Sequence, residues 1–227
     1  MVLIYTVAVL LGGFVGFLLE KITVNLINKR VKEPINHRFS GSVKKTILWM
    51  LISASGWVIA VAIGGLSAQT VEFALLFSAC LVLSAVDISI RKIPNEIIVF
   101  ILIIGFAFTV INNNFNIIQN RIIGLIAGFV IFYLPSLIGM GAGLGDVKFA
   151  AAVGFCLGVY NFLTAVFVMT IVLLIYTIYL YVTGKGNLKT KVALGFFLAA
   201  GFVVVMLINI LNMKQMVFDM EMFLNSI

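Results

Sequence analysis

The sequence predicts an all-α, polytopic integral membrane protein with about eight transmembrane helices, on three observations. Of its 227 residues 63% are hydrophobic and only 10% charged, whereas a soluble domain runs near ~45–50% apolar and ~25% charged. Apolar runs of roughly 20 residues, the length a helix needs to cross a hydrocarbon core of about 30 Å, divide almost the whole chain. The cations behind the formal net charge of +7 sit in short stretches between those runs, a pattern that orients a chain in a bilayer and does not call for nucleic acid as a partner.

The first run, near residues 2–19, has no basic segment before it and no small-residue cleavage site after it, so it reads as a retained span. A basic loop to about residue 45 follows, holding Glu20, Glu33 and His37, and it is the only connection large enough to carry structure of its own. Spans are then expected near 46–66, 71–90 and 95–111, the last with Pro94 in its first turn, where a missing N–H costs nothing. The polar turn Asn112-Asn113-Asn114 leads to a span near 122–138. A sixth, near 147–160, is short and rich in Gly and Ala. It runs through Tyr160-Asn161 into a seventh near 162–182, so fusion of the two is the main topological alternative. The eighth lies near 192–211, and residues 213–227, with four methionines, read either as a helix on the outer interface or as a frayed tail. The domain division that follows is 1–70, 71–182 and 183–227.

With the N-terminus outside, thirteen of the fifteen Lys and Arg face the cytoplasm, and only Arg121 and Lys214 fall on the other side. Removing the sixth span would carry the loop holding Lys185, Lys189 and Lys191 outward, so the charge bias favours keeping it. Cys80 and Cys156 stand singly inside apolar runs, which points to small buried hydrophobes and to neither a disulfide framework nor a zinc cluster.

Chemistry is to be sought among ionisable residues at membrane depth, where an unpaired charge is expensive. Six of the eight acids fall in loops, at span starts or in the tail, leaving Asp87 and Asp146. Asp87 lies one turn before Arg91, and its bland reading is an interfacial carboxylate reaching for Arg91 or Lys92. Asp146 ends the glycine run Gly139-Met140-Gly141-Ala142-Gly143-Leu144-Gly145, and Asp after Gly is a favoured helix N-cap. By the expected topology both lie at the cytoplasmic depth. They can therefore form an aspartyl dyad, one carboxylate ionised to activate water and one protonated to polarise a carbonyl. The helix dipole favours negative charge at Asp146 and leaves the shared proton mainly on Asp87. Gly143 and Gly145 would let a substrate strand approach the backbone. Lys148 is either a positive-inside anchor or a partner for Asp146 or for an acidic substrate group, and Pro94-Asn95 would orient the loop after Asp87. Other mechanisms lack parts: His37 is the only histidine, which removes a Ser–His–Asp triad and an HExxH metal site, and the glycines lack the GK[ST] ending of a phosphate loop. The non-enzymatic alternative is a proton- or ion-coupled transporter using the same two aspartates.

At these residues the sequence resembles the type IV prepilin peptidase family, the GxGD membrane aspartic proteases. One motif is Asp87-Ile88-Ser89-Ile90-Arg91-Lys92-Ile93-Pro94-Asn95. The other is Gly143-Leu144-Gly145-Asp146-Val147-Lys148, continuing into Phe149-Ala150-Ala151-Ala152-Val153-Gly154. The likeness covers about residues 71–182. Leu11–Phe17 and Val192–Leu198 are similar to the family's first and late segments, the latter with Ala193 and Phe196 where prolines are usual. The resemblance implies a GxGD aspartic protease fold in a prokaryotic cell membrane, with Asp87 and Asp146 catalytic, Gly143, Gly145, Lys148 and Pro94 near substrate, and no metal. It also implies cleavage of the basic leader from prepilin or pseudopilin precursors at the cytoplasmic face, in the service of a type IV pilus or secretion system. Proteolysis would need no cofactor. S-adenosylmethionine enters only if the chain also N-methylates the new terminus, as bifunctional members do; their longer first loop with zinc-binding CxxC pairs has no counterpart here. Lipid headgroups are the expected partner of the basic first loop.

Overall fold

A computed structural model describes residues 2–31, 39, 41–112, 114–137, 143–184 and 192–225, the side chains of 216–225 apart. Among the described residues eight α-helices follow one another: α1 (Val2–Asn28), α2 (Val43–Gly64), α3 (Ala68–Ile90), α4 (Asn95–Asn112), α5 (Phe115–Leu137), α6 (Leu144–Leu157), α7 (Val159–Val182) and α8 (Leu194–Asn225). The described residues contain no strand. Among the described residues, seven helices are long and apolar enough to cross a membrane. The protein is an all-α, polytopic membrane protein. Lys32, Glu33, His37 and Arg38 of the first loop, Asn113, Gly139 and Gly141 of the glycine run, and Lys185, Lys189 and Lys191 lie outside the described residues.

Helices α1 and α8 run past their expected ends, α5 opens at Phe115 where a start near 122 was expected, and α6 and α7 are separate, as the eight-span reading expected. Helix α1 runs nine residues past Leu19, because Thr23, Leu26 and Ile27 continue a buried stripe at helical spacing. Helix α8 continues unbroken to Asn225, since no Gly or Pro interrupts it after Gly201. Helices α6 and α7 are separate, broken at Gly158, whose φ of +75° suits glycine. A Cβ there would run into the Asn120 side chain, which accepts a hydrogen bond from the Val159 N–H at 3.1 Å. At 14 residues α6 is about 21 Å long, short of the ~30 Å core.

The chain forms two compact units, residues 1–81 with 205–227, and residues 82–204. In the first, α1 packs on α2 at Gly12 and Gly16, where a Cβ would lie 2.7 Å from Ala54 Cα and 2.6 Å from the Trp49 carbonyl oxygen. Trp57 Nε1 donates to Ser78 Oγ at 3.1 Å. In the second unit, α6 is gripped by α5 and α4. Gly124 of α5 and Gly154 of α6 touch backbone to backbone, and Gly128 meets Ala150 one turn on. Small residues at four-residue spacing are how membrane helices approach closely enough for dispersion to hold them, since lipid removes the hydrophobic drive between helices. Cys156 and Cys80 are buried thiols outside any disulfide, and Cys156 Sγ donates to the Ile101 carbonyl at 3.7 Å.

Candidate active site

Asp87 and Asp146 both belong to the unit of residues 82–204 and interact electrostatically. Asp87, in the last turn of α3, is 4% exposed. It faces inward: its Oδ2 accepts the Phe196 N–H of α8 at 3.1 Å. That donor is free because the first N–H groups of a helix have no partner within it, and a carboxylate there also meets the positive end of the helix dipole. Gly195 makes the approach possible. A Cβ on it would lie 2.9 Å from Asp87 Oδ2 and 2.8 Å from Ile93 Cδ1.

Asp146 is not the N-cap that its place after Gly145 suggested. Gly143 holds the N-cap position and Asp146 is the third helical residue, its Oδ2 accepting the Gly143 N–H at 2.9 Å. This is the carboxylate half of a capping box, and it fixes the side chain at the mouth of α6. Burial raises the Asp146 carboxyl above its ordinary value, and the Gly143 N–H opposes that shift.

The two motifs touch. Ile93 lies against Gly145, where a Cβ would be 3.2 Å from Ile93 Cβ, and the same Ile93 reaches Gly195. Lys148 Nζ donates to Asn95 Oδ1 at 3.4 Å, joining the second motif to the first. Pro94 is buried just before α4, and its carbonyl accepts the Ile97 and Ile98 N–H groups at 3.2 and 3.3 Å, capping that helix. Arg91 ends α3 with φ +50°, its N–H on the Asp87 carbonyl at 2.8 Å. Gly143, with φ −80° and ψ 159°, has ordinary extended geometry.

The sequence reading missed the role of the α8 start: Gly195 and Phe196 drew notice only as a likeness to a late family segment. The signal was a glycine opening an apolar helix that is short of capping side chains. It also placed Arg121 in an outer connection. The residue lies on α5, 8% exposed, and its Nη1 donates to the Gly105 carbonyl at 2.7 Å and to Thr109 Oγ1 at 2.8 Å. No group of three or more His, Cys, Asp and Glu able to hold a metal occurs among the described residues.

Residues 74–178, just under half the chain and including both aspartates, match the type IV leader peptidase family. Through this core the chain is similar to that family of peptidases. The α8 residues that hold Asp87 lie beyond the matched range. No curated protein and no solved structure matches the chain.

Proposed function

We propose that the protein is an intramembrane aspartic endopeptidase that removes the basic leader from prepilin or pseudopilin precursors at the cytoplasmic face of a prokaryotic cell membrane. The observation that carries this reading is the pair Asp87 and Asp146, at the ends of two helices and near enough to interact electrostatically, each oriented by a backbone N–H. Ionised Asp146 takes a proton from water as the oxygen attacks the scissile carbonyl, while protonated Asp87 donates a hydrogen bond to that carbonyl oxygen. Collapse of the tetrahedral diol returns the carbonyl, breaks the C–N bond and delivers a proton to the leaving amine. The dyad titrates as a unit, so the shared proton belongs to the pair. Gly143, Gly145, Lys148 and Pro94 border this chemistry, with the extended Gly143 backbone offered to a substrate strand. Positive-inside bias supports an N-terminus outside and the dyad on the cytoplasmic side. Neither step requires a metal or cofactor.

The test is mass spectrometry of a prepilin-like precursor co-expressed with wild type, Asp87→Asn or Asp146→Asn. Leader loss with wild type alone is the expected result. An extra mass of one methyl group on the product would add S-adenosylmethionine-dependent transfer. An intact precursor in all three, across several precursors and with the protein verified in the membrane, overturns the reading.

A further inference from the structure

The unit of residues 1–81 and 205–227 holds a second chemically pointed place. Glu20 on α1 is 3% exposed, and its Oε2 has no hydrogen-bond partner among the described residues. A buried carboxyl oxygen left unpaired is costly, so its retention asks for a donor from elsewhere. Glu20 lines a pocket of about 560 Å³, within the ~300–1,000 Å³ range of ligand sites. The other polar lining comes from Asn25 and Asn28 on the same face of α1 and from Ser42 and Thr46 at the start of α2. Lys21, also at the pocket, carries its Nζ over the Phe17 ring, 5.4 Å from the centroid.

We infer that this pocket binds the side-chain ammonium of a lysine in the leader peptide, with Glu20 as its anion and the neighbouring amide and hydroxyl oxygens as further acceptors. The inference rests on the peptidase reading for the identity of the peptide. A carboxyl flanked by amide and hydroxyl oxygens suits an ammonium, which has three donors and no acceptor. The donor set is short of carboxylates for a hard divalent ion, which takes six or more oxygens, several of them charged. Charge bias assigns this end of α1 to the cytoplasmic side, where a leader lies. The anion also answers a difficulty: the first loop is basic and would otherwise repel a basic peptide.

The experiment uses the full chain in phosphatidylcholine nanodiscs and a labelled leader peptide with a single lysine, against the same peptide with norleucine there. Fluorescence anisotropy should give the lysine peptide at least about tenfold tighter binding, as one charge-assisted hydrogen bond supplies. Glu20→Gln should erase that preference while leaving norleucine binding unchanged. A photo-crosslinker beside the lysine, on wild type, should label residues 20–28 or 41–46, which keeps the test valid if the variant folds poorly. Equal binding of both peptides, equal weakening of both by Glu20→Gln, or crosslinks confined elsewhere would overturn the assignment. Displacement of the lysine peptide by added phosphatidylethanolamine would give the pocket to a lipid headgroup and overturn it too. Precursor cleavage is followed in parallel. Cleavage without a Glu20-dependent lysine preference keeps the peptidase and removes this site; the preference without cleavage does the reverse.

Discussion

At the scale of single residues, three glycines near the dyad should respond to alanine in a fixed order. Gly195→Ala places a methyl 2.9 Å from Asp87 Oδ2 and 2.8 Å from Ile93. We expect a loss of about 1–3 kcal/mol in thermal unfolding and a roughly 100-fold fall in turnover, as a misplaced catalytic group produces. Gly145→Ala, 3.2 Å from Ile93 Cβ, should cost less. Gly143→Ala has ordinary dihedrals and its methyl lies 3.4 Å from Asp146 Oδ2, so stability should stay within about 0.5 kcal/mol. A fall in turnover for Gly143→Ala alone would then report crowding of substrate, and equal unfolding of all three variants would contradict the ranking. Acid should act through Asp146. Its carboxyl is raised by burial, and the proposed mechanism needs one carboxylate of the pair ionised, so activity should be lost as pH falls through the first ionisation of the dyad. The acid limb of kcat/KM should therefore lie above the ordinary carboxylate value of about 4, and a limb at or below it would argue against the assigned roles.

At the scale of elements, α6 is held by what it lacks. Gly154→Val would drive a branched side chain into the Gly124 backbone, and overpacking of that kind costs about 1–3 kcal/mol or more. The expected result is a lower unfolding temperature together with lost cleavage, whereas Gly65→Ala, with open space around it but φ +61° and ψ −150°, should cost about 1–3 kcal/mol through backbone strain alone. Element order and type were legible because apolar runs and charge spacing are local properties of the chain. The paired aspartates were legible because buried acids are so few here. The start of α8 was not, since a backbone N–H donates regardless of its side chain, and nothing in Gly195-Phe196 names Asp87 as the acceptor 109 residues away. Arg121 was misplaced for a related reason: a buried guanidinium satisfied by Gly105 and Thr109 looks, in sequence, like any cation beside a span.

At the scale of the whole molecule, orientation is the property to measure. Alkaline phosphatase, active only outside, should be active when fused after Asn112 and inactive when fused after Gly184; activity at both would mean that α6 does not count as a crossing. The pairing of α5 with α6 carries a further consequence. Gly124 meets Gly154 and Gly128 meets Ala150, so the same antiparallel register sets Asp146 level with Phe132, five residues before α5 ends at Leu137. At 1.5 Å per residue, the carboxylate is recessed about 7.5 Å below the rim of its own neighbour. A peptide entering such a well cannot do so as an intact helix, whose carbonyls are already engaged in internal hydrogen bonds and surrounded by side chains. Under the proposed activity, entry would select a stretch that is extended yet tethered to an apolar anchor, which would put the cut at the frontier between a polar tail and a membrane-embedded segment.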